Sequence, residues 1–403
     1  MKKKVLFIVE AMGGGVFTYI VDLANELVND FDMYIAYATR PQTPSNYKQY
    51  FDKRIHLIRV QHFNRSLRPL SDFMAMQEIK QIAGQVQPDI IHLHSSKAGV
   101  LGRVAFNGKK VPLFYTPHAY SFLMMNHSLP KRIMFKEIEK LCAKKNCTTI
   151  SCSAGEHEET LKMTRRAAYV NNGINRKELQ ELLDGIQVET RVEPRLETQE
   201  KYKVFTLGRI CHQKNPALFN QIALAMPDEK FLWIGDGDLR GVLTASNITV
   251  TGWGDRREAL KLSQQGEVFV LTSLWEGLPI SLLEAMYMKK LCVVSDVIGN
   301  RDVIKNGVNG YVCHSVEDFV KGIKTGGNQL IAQAYNDVLD EYNTAVMGEK
   351  YSRLYLRALA RRNRIETPEK TGGGYYGKVV CFRGAVIENE VIVISTAGWA
   401  VAA

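Results

Sequence analysis

Residues 267–286, "EVFVLTSLWEGLPISLLEAM", decide the fold. An apolar run of strand length is followed by a Gly-x-Pro turn and then by apolar residues at helical spacing. Pro279 suits the first turn of a helix, which we predict from about Pro279 to Tyr287. The stretch is therefore one strand–turn–helix unit, and two glutamates, Glu276 and Glu284, flank its turn.

The same alternation runs through most of the chain. Buried strands are indicated by "KVLFIV", "DMYIAYAT", "PDIIHLHS" and "CTTISCS" in the first half, and by "KVFTLGRI", "KFLWIGDGD", "ITVTGW" and "LCVVSD" in the second. This pattern predicts two parallel-sheet α/β domains. The predicted parts are a first domain over residues 1–183, a charged linker over 184–203, a second domain over 204–345, a last helix over 346–366 that returns to the first domain, and an unassigned tail over 367–403.

Composition narrows the class of protein. The 403-residue chain has a net charge of +10 and a pI of about 9.1, which suits nucleic acid, an anionic membrane surface or a phosphorylated small molecule. Its seven cysteines show no paired spacing, so a disulfide framework is not expected. No apolar segment approaches the roughly 20 residues that span a bilayer, and Glu10 interrupts the apolar N-terminal run. We expect a reduced, cytoplasmic protein.

The C-terminal ends of the strands are where parallel sheets bind ligands. Gly13, Gly14 and Gly15 follow the first strand, and a glycine turn before a helix lets a ligand approach the backbone and its N–H groups. A simple tight turn is the alternative. A nicotinamide site is a weaker one, because the spacing is not G-x-G-x-x-G and the second strand ends in Thr39-Arg40 instead of an acid.

Two histidines also follow strands. His94 lies in "HLHSSKAG" and His118 in "TPHAYSF", and either side chain could hydrogen-bond a ligand or move a proton. We favour a structural role for His94 and a ligand contact for His118. The spacing supplies no partner ligands for a metal ion.

Cations and a helix start meet in the second half of the chain. Arg209 and Lys214 in "LGRICHQKNP" lie on one loop before a helix, which is a natural clamp for a diphosphate, although a solvated basic loop is the plain alternative.

In the opening stretch, the free N–H groups of Gly277, Leu278 and Ile280, which flank Pro279, and the helix dipole favour an anion. Glu276 and Glu284 beside that anion would accept hydrogen bonds from hydroxyl groups. A ligand with a diphosphate and many hydroxyls is a nucleotide sugar.

These motifs together resemble glycosyltransferase family 4, whose GT-B architecture has two Rossmann-like domains facing each other across a cleft. The resemblance covers about residues 1–365 and rests on five motifs in order: the N-terminal glycine loop, "TPHAYSF", "YVNNGINR", "GRICHQKNP" and the E-x7-E pair of Glu276 and Glu284. The segment "NRDVIKNGVNGYV" also resembles a family motif, with Arg301 expected in place of the usual acid.

The resemblance implies a role for each site residue. Arg209 and Lys214 would hold the diphosphate, Glu284 the ribose and Glu276 the donor sugar, and His118 would contact the sugar near the reacting centre. Transfer would retain the anomeric configuration. The default donor is a UDP-sugar, and the acceptor would be a glycan or lipid-linked sugar of a bacterial capsule or exopolysaccharide.

No metal and no cofactor are expected. Asp236-Gly237-Asp238 reads D-x-D, which binds a divalent metal in another glycosyltransferase class, but here it resembles a glycine turn of family 4.

Two alternatives stay open at this point. A nucleotide-sugar epimerase or a phosphorylase of the same architecture would share the fold, since fold does not determine function. A nucleic-acid-binding protein would carry aromatic residues interleaved with its basic clusters, and the basic runs of this chain lack them.

One segment suggests a peripheral contact with an anionic membrane. In "KRIMFKEIEKLCAKK", residues 131–145, a helix would align Arg132, Lys136, Lys140 and Lys144 as a cationic stripe, with an apolar side that includes Leu141. An ordinary surface helix is the alternative, and the membrane contact is the sharper hypothesis.

Overall fold

The computed structural model describes residues 1–64, 68–192 and 201–366. Their strands form two all-parallel sheets. The first sheet has seven strands in the order β3-β2-β1-β4-β5-β6-β7. Its strands are β1 (Lys3–Met12), β2 (Phe31–Thr39), β3 (His56–Arg59), β4 (Ile90–His94), β5 (Leu113–Thr116), β6 (Thr148–Ser151) and β7 (Ala167–Tyr169).

The second sheet has six strands in the order β10-β9-β8-β11-β12-β13. Its strands are β8 (Tyr202–Leu207), β9 (Phe231–Ile234), β10 (Ile248–Val250), β11 (Gly266–Leu271), β12 (Leu291–Ser295) and β13 (Tyr311–Cys313).

Helices follow the strands almost one for one. Those of the first half are α1 (Gly14–Leu27), α2 (Pro69–Val86), α3 (Ser96–Ala105), α4 (Leu129–Ala143), α5 (Ala154–Leu161) and α6 (Arg176–Val192). Those of the second half are α7 (Pro216–Leu224), α8 (Arg256–Gln264), α9 (Ile280–Tyr287), α10 (Asn300–Val303), α11 (Val316–Thr325), α12 (Asn328–Asp340) and α13 (Thr344–Glu366). The two parallel sheets predicted from the alternation are confirmed, and they match the GT-B architecture that the resemblance implies.

Continuous apolar strands lie at the centre of each sheet because helices cover both faces. Val5 to Val9 of β1 are fully buried, and Val5 pairs in register with Met33 of β2 and Ile90 of β4. In the second sheet β8 likewise lies between β9 and β11. The strand order reverses at β1 and at β8, and such a switch point is where parallel sheets open a crevice for ligands.

The last helix belongs to the core of the first sheet although it follows the second sheet in the chain. Met347, Tyr351, Tyr355 and Leu359 of α13 are buried in the same cluster as β1, β2 and α1. Burial of large apolar side chains of this kind contributes roughly 1.5–3 kcal/mol each. The helix therefore ties the two halves of the chain together.

The segment predicted as a linker over 184–203 is partly helical. Helix α6 continues to Val192, and β8 begins at Tyr202. Leu179 and Leu183 of α6 pack in the core of the second sheet, and so does Ile186, which lies inside the predicted linker. This packing supports the continuation of the helix into a segment whose charged composition suggested a loop. Both sheets lie in one compact unit, Met1–Asn363. The predicted tail, residues 367–403, lies outside the described residues.

Candidate functional site

The turn between β11 and α9 is tightly held. Glu276 is buried and accepts hydrogen bonds from Lys214 Nζ at 2.7 Å, Ser273 Oγ at 2.7 Å and Gln213 Nε2 at 3.2 Å. Lys214 comes from the loop after β8, and the parallel pairing of β8 with β11 brings the two loops together at the switch point. Both carboxylate oxygens of Glu276 are thus engaged by donors from two loops.

The start of α9 offers unpaired backbone donors. The helix begins at Ile280, with Pro279 at its N-cap. In the described part of the chain, the N–H groups of Gly277, Leu278 and Ile280 donate no hydrogen bond. Because a helix N-terminus carries partial positive charge, these groups favour an anion.

The second predicted cation lies nearby on the same loop. Arg209 follows β8 by two residues and is half-buried. Within the described ranges it forms no ion pair or hydrogen bond with another side chain or the backbone. Arg209 is therefore available to a ligand, whereas Lys214 is held by Glu276.

His118 comes from the first sheet and lies against this turn. His118 and Ala119 have φ angles of +55° and +72°, a conformation that costs about 1–2 kcal/mol for each non-glycine residue. Glu156, buried on α5, offsets that cost because its two oxygens accept the N–H groups of Ala119 and Cys152, each at 2.8 Å. Burial raises the pKa of Glu156, and these backbone donors act in the opposite direction.

Gly277 is where the two halves of the site meet. A Cβ atom at Gly277 would lie 2.9 Å from Cys152 Sγ and 3.0 Å from Ala119 N. On the other side, a Cβ atom at Gly299, whose φ is +87°, would lie 2.5 Å from Gly277 O. Only glycine fits at both positions. Asn172 adds a third contact between the halves, since its Nδ2 donates to Leu278 O at 2.7 Å.

Glu284 lies in the second turn of α9 and has a partner that the sequence analysis missed. Arg256, the first residue of α8, donates from Nη2 to Glu284 Oε1 at 2.9 Å. Burial raises the pKa of Glu284, and the Arg256 guanidinium opposes that rise. Asp22 of α1 is electrostatically coupled to the same group, and burial raises its pKa to about 8.

A small cavity opens at the C-terminal ends of β8, β9 and β10. It has a volume of about 130 Å³ and is lined by Gly208, Gly235, Gly252 and Trp253, among others. Gly208 precedes Arg209, so the cavity adjoins the predicted diphosphate clamp. The glycines that line this cavity follow different strands, so the sequence alone does not show that they lie together.

The predicted glycine loop forms the N-terminus of α1. Gly13 is the N-cap, and Gly14 and Gly15 are exposed, with no atom within 4 Å of where their Cβ atoms would be. Arg40, at the end of the neighbouring strand, forms an ion pair with the buried Glu10. The loop therefore presents bare backbone beside an anchored cation.

The D-x-D sequence does not gather ligands for a metal. Asp236 accepts hydrogen bonds from its neighbour's N–H and from Arg240. No cluster of three or more His, Cys, Asp or Glu side chains that could hold a metal ion occurs in residues 1–64, 68–192 and 201–366.

Two sequence expectations need correction, and the first concerns Arg301. Arg301 does not replace the acid of its segment, because the adjacent Asp302 is that acid. Asp302 Oδ2 accepts the N–H groups of Gly299 at 3.0 Å and of Gly155 at 2.9 Å. It thereby joins α10 to α5 of the other sheet, while Arg301 pairs with Asp296 at the surface.

The second correction concerns the surface of α4. Arg132 and Lys136 are half-buried against Phe122. Arg132 Nε donates a hydrogen bond of 2.9 Å to the Phe122 carbonyl, and Lys136 Nζ lies 5.4 Å from the centroid of the Phe122 ring. Lys140 pairs with Glu137. Of the four predicted stripe residues, only Lys144 is exposed. The solvent-facing surface of α4 carries Ile133, Met134 and Leu141, of which Met134 and Leu141 belong to the side expected to be apolar.

Sequence reasoning missed Glu156, Asn172, Arg256 and Asp302. Asp302 stood beside the residue singled out, and Asn172 lay inside a quoted motif. The contacts of Glu156 with Ala119 and of Arg256 with Glu284 span 37 and 28 residues, so no short window of sequence shows either of them.

Sequence comparisons agree with this architecture. A family described as Glycosyltransferase Family 4 matches residues 13–178, and one described as Glycosyl transferases group 1 matches residues 201–326. Each match falls on one sheet, and together they span more than half of the chain. The protein belongs to glycosyltransferase family 4 and is a glycosyltransferase.

Two bacterial relatives are similar over most of their length. The chain is 27% identical over 340 residues to the UDP-Gal:alpha-D-GlcNAc-diphosphoundecaprenol alpha-1,3-galactosyltransferase of Escherichia coli, covering 76% of this chain and 85% of the relative. It is also 27% identical over 324 residues to an uncharacterized 41.2 kDa protein in the cps region of Klebsiella pneumoniae, covering 76% and 84%. These relatives give no support to the epimerase, phosphorylase or nucleic-acid alternatives.

Solved structures share the fold. Anabaena HepE in complex with UDP and glucose superposes with a TM-score of 0.69 at 15% identity, covering 88% of this chain and 100% of HepE. Sucrose-phosphate synthase from Thermosynechococcus elongatus gives a TM-score of 0.73 at 16% identity, covering 89% and 100%. At these identities the likeness concerns the fold alone.

Proposed function

We propose that this glycosyltransferase transfers a sugar from a UDP-sugar to a lipid-linked glycan acceptor in cell-surface polysaccharide synthesis, with retention of configuration and without a metal ion. The observation that carries the proposal is the Lys214–Glu276 ion pair of 2.7 Å at the start of α9. It places a cation, a carboxylate and a helix N-terminus beside the His118–Ala119 turn of the other sheet.

The diphosphate leaves with the electron pair of the bond that it shared with the anomeric carbon. Arg209 and Lys214 would balance its developing charge, together with the unpaired N–H groups of Gly277, Leu278 and Ile280. Groups held in place before the reaction stabilise such charge without reorganising. This arrangement would supply the charge neutralisation that a divalent metal provides in other enzymes, and it supports a metal-independent transfer.

Glu276 is suited to bind the donor sugar and poorly suited to attack it. Three donors already engage its two oxygens, and hydrogen bonds to a carboxylate lower its nucleophilicity. We therefore assign Glu276 to the hydroxyls of the sugar and assign no covalent intermediate. The acceptor oxygen would bond to the anomeric carbon on the face that the diphosphate leaves, and its proton would go to the departing phosphate oxygen, the nearest base.

The contacts with the ribose and the base of the nucleotide sugar are assigned from the positions of the residues around the site. Glu284, oriented by Arg256, would accept hydrogen bonds from the ribose. The cavity beside Gly208 and Trp253 would receive the base. A uracil base is supported by the UDP-Gal named for the Escherichia coli relative and by the UDP bound to HepE.

The acceptor side belongs to the first sheet. The bare backbone of Gly14 and Gly15 at the α1 N-terminus suits an anionic group, such as the diphosphate of a lipid-linked sugar. The Escherichia coli relative uses an acceptor linked to diphosphoundecaprenol. Such a lipid lies in the membrane, so the protein would work at its cytoplasmic face.

Helix α4 is the surface that we propose for contact with an anionic bilayer. Leu129, Ile133 and Leu141 are 66%, 54% and 61% exposed, and Lys144 and Lys145 follow them at the exposed C-terminal end. Apolar side chains can enter the lipid interface, and each nearby basic residue contributes about 1 kcal/mol of attraction. No helix among the described residues is long and apolar enough to cross the membrane.

Vesicle sedimentation tests the α4 surface. Binding should rise with the fraction of phosphatidylglycerol and fall with salt. The Ile133→Ser/Leu141→Ser and Lys144→Gln/Lys145→Gln variants should each bind less. The control is Leu224→Ser, an equally exposed leucine of α7 on the other sheet. Parental binding by both double variants would exclude this surface.

Transfer itself is tested with radiolabelled UDP-sugars and a synthetic diphosphoundecaprenol-linked sugar. Label should move to the lipid fraction, and the product's anomeric coupling constant should show retention. A thermal-shift panel should show stabilisation by UDP exceeding that by GDP, ADP or CDP, because tight binding stabilises the folded state. An inverted product would overturn the retaining mechanism, and preference for another nucleotide would overturn the UDP assignment.

A further inference from the structure

Three histidines, two of them fully buried, form a group beneath the candidate site. His92 and His94 lie on β4 and are fully buried, and His118 follows the neighbouring strand β5. His94 Nδ1 lies 3.2 Å from His118 Nε2, within hydrogen-bond distance. The two rings are nearly parallel, and the edge of Tyr19 packs on His118. His94 and Tyr19 thus hold the His118 ring in a fixed orientation.

The hydrogen bond joins two neutral rings. Burial lowers the pKa of His94 well below its usual range, and it lowers the pKa of His118 to about 3. His92, Tyr19 and Tyr351 near the two rings add no acid, and the nearby carboxyl group of Glu156 is engaged by the N–H groups of Ala119 and Cys152. A neutral imidazole carries one N–H, so one ring donates and the other accepts.

The other ring nitrogen of His94, Nε2, indicates which of the two rings donates this hydrogen bond. His94 Nε2 is buried and has no hydrogen-bond partner. An orphaned N–H group costs more in a protein interior than an orphaned acceptor. The proton of His94 therefore belongs on Nδ1, from which it donates to His118 Nε2.

The proton of His118 must then be on its other nitrogen. His118 Nδ1 forms no hydrogen bond in the described part of the protein, and it is not among the buried polar atoms without partners. This nitrogen is therefore open to solvent or ligand. His118 lies against Gly277, at the junction of the two halves of the site.

We propose that His94 is a positioning residue that holds His118 in its Nδ1–H tautomer, so that His118 presents a neutral hydrogen-bond donor to an oxygen of the donor sugar. The contact between His118 and the donor sugar rests on the proposed function. His118 is then a donor that orients the sugar and is not an acid–base group.

Nitrogen-15 NMR of histidine-labelled protein tests the tautomer without any substrate. The two ring nitrogens of His118, identified by their absence in a His118→Ala variant, should show the shifts of the Nδ1–H tautomer and should not titrate from pH 5 to pH 9. The Nε2–H tautomer for His118 in the parent protein would overturn the proposal. This result does not depend on the enzyme's substrates.

Matched substitutions test the effect on catalysis. The amide nitrogen of Asn is as many bonds from Cα as His Nδ1 is, and the amide nitrogen of Gln is as many bonds from Cα as His Nε2 is. His94→Asn should keep kcat within about threefold of the parent, whereas His94→Gln and His94→Phe should lower it about tenfold, the effect of one lost hydrogen bond. The affinity for UDP, measured by calorimetry, should not change.

Equal losses of kcat in His94→Asn and His94→Phe would overturn the positioning role. If no variant and no parent protein binds UDP, the proposed donor fails while the tautomer result stands.

Discussion

A single methyl group at Gly277 should separate the two halves of the site. In Gly277→Ala the new Cβ would lie 2.9 Å from Cys152 Sγ and 3.0 Å from Ala119 N. Carbon atoms in contact prefer separations of about 3.5–4.0 Å, so the overlap is roughly 0.5–1 Å on both atoms. One of these neighbours is backbone, and the other is the Sγ atom of a short, buried side chain, so neither can move aside without shifting the turn.

The overlap has two measurable consequences. Overpacking of this kind costs about 1–3 kcal/mol of stability. If the halves move apart instead, the His118–Ala119 turn shifts by up to about 1 Å from the donor site, a displacement that can lower kcat about 100-fold. UDP affinity should change less than kcat, because apart from the Gly277 N–H the proposed nucleotide contacts do not touch the first sheet.

The assay compares kcat, the Kd of UDP and thermal denaturation of Gly277→Ala with two other variants. Gly241→Ala is the matched control, since a Cβ there meets nothing within 4 Å. Adding Cys152→Ala to Gly277→Ala removes the sulfur and should restore part of kcat. A Gly277→Ala variant with parental kcat and melting temperature would refute the close approach of the two halves.

Three further predictions concern charge. Replacing Arg209 or Lys214 with Ala should cost about 2–4 kcal/mol of transition-state stabilisation; kcat/KM is compared with that of Lys261→Ala, an exposed lysine of α8, and near-parental turnover in both would remove the clamp from the site. Full activity should survive EDTA, because cations and a helix terminus neutralise the diphosphate; an absolute requirement for Mg²⁺ or Mn²⁺ would return attention to the D-x-D turn. Burial raises the pKa of Asp22 from 3.8 to about 8, so between these values the folded state holds a proton that the unfolded state releases, and stability falls as pH rises through that window. Asp22→Asn should therefore gain melting temperature relative to the parent from pH 5 to pH 8; a constant difference would show an ionised Asp22 in the folded protein.

Sequence by itself determined the elements and their class. Hydrophobic patterns with a period of 2 or 3.6 residues depend on residues a few positions apart. Strands such as "KVLFIV" and the helix after Pro279 can therefore be predicted from a short window of sequence. The fold class followed from their alternation, and the family from motifs at strand ends. The same local logic missed that residues 184–192 continue helix α6, although Ile186 among them packs in the core of the second sheet.

Only the tertiary structure decided which of these residues meet. Lys214 and Glu276 are 62 positions apart and touch because β8 and β11 are neighbours in the sheet. Arg256 reaches Glu284 because α8 and α9 flank the same sheet. The exposed side of α4 depends on where Phe122 sits. Strand order and packing between the two sheets are properties of the whole chain, so no short window of sequence contains them.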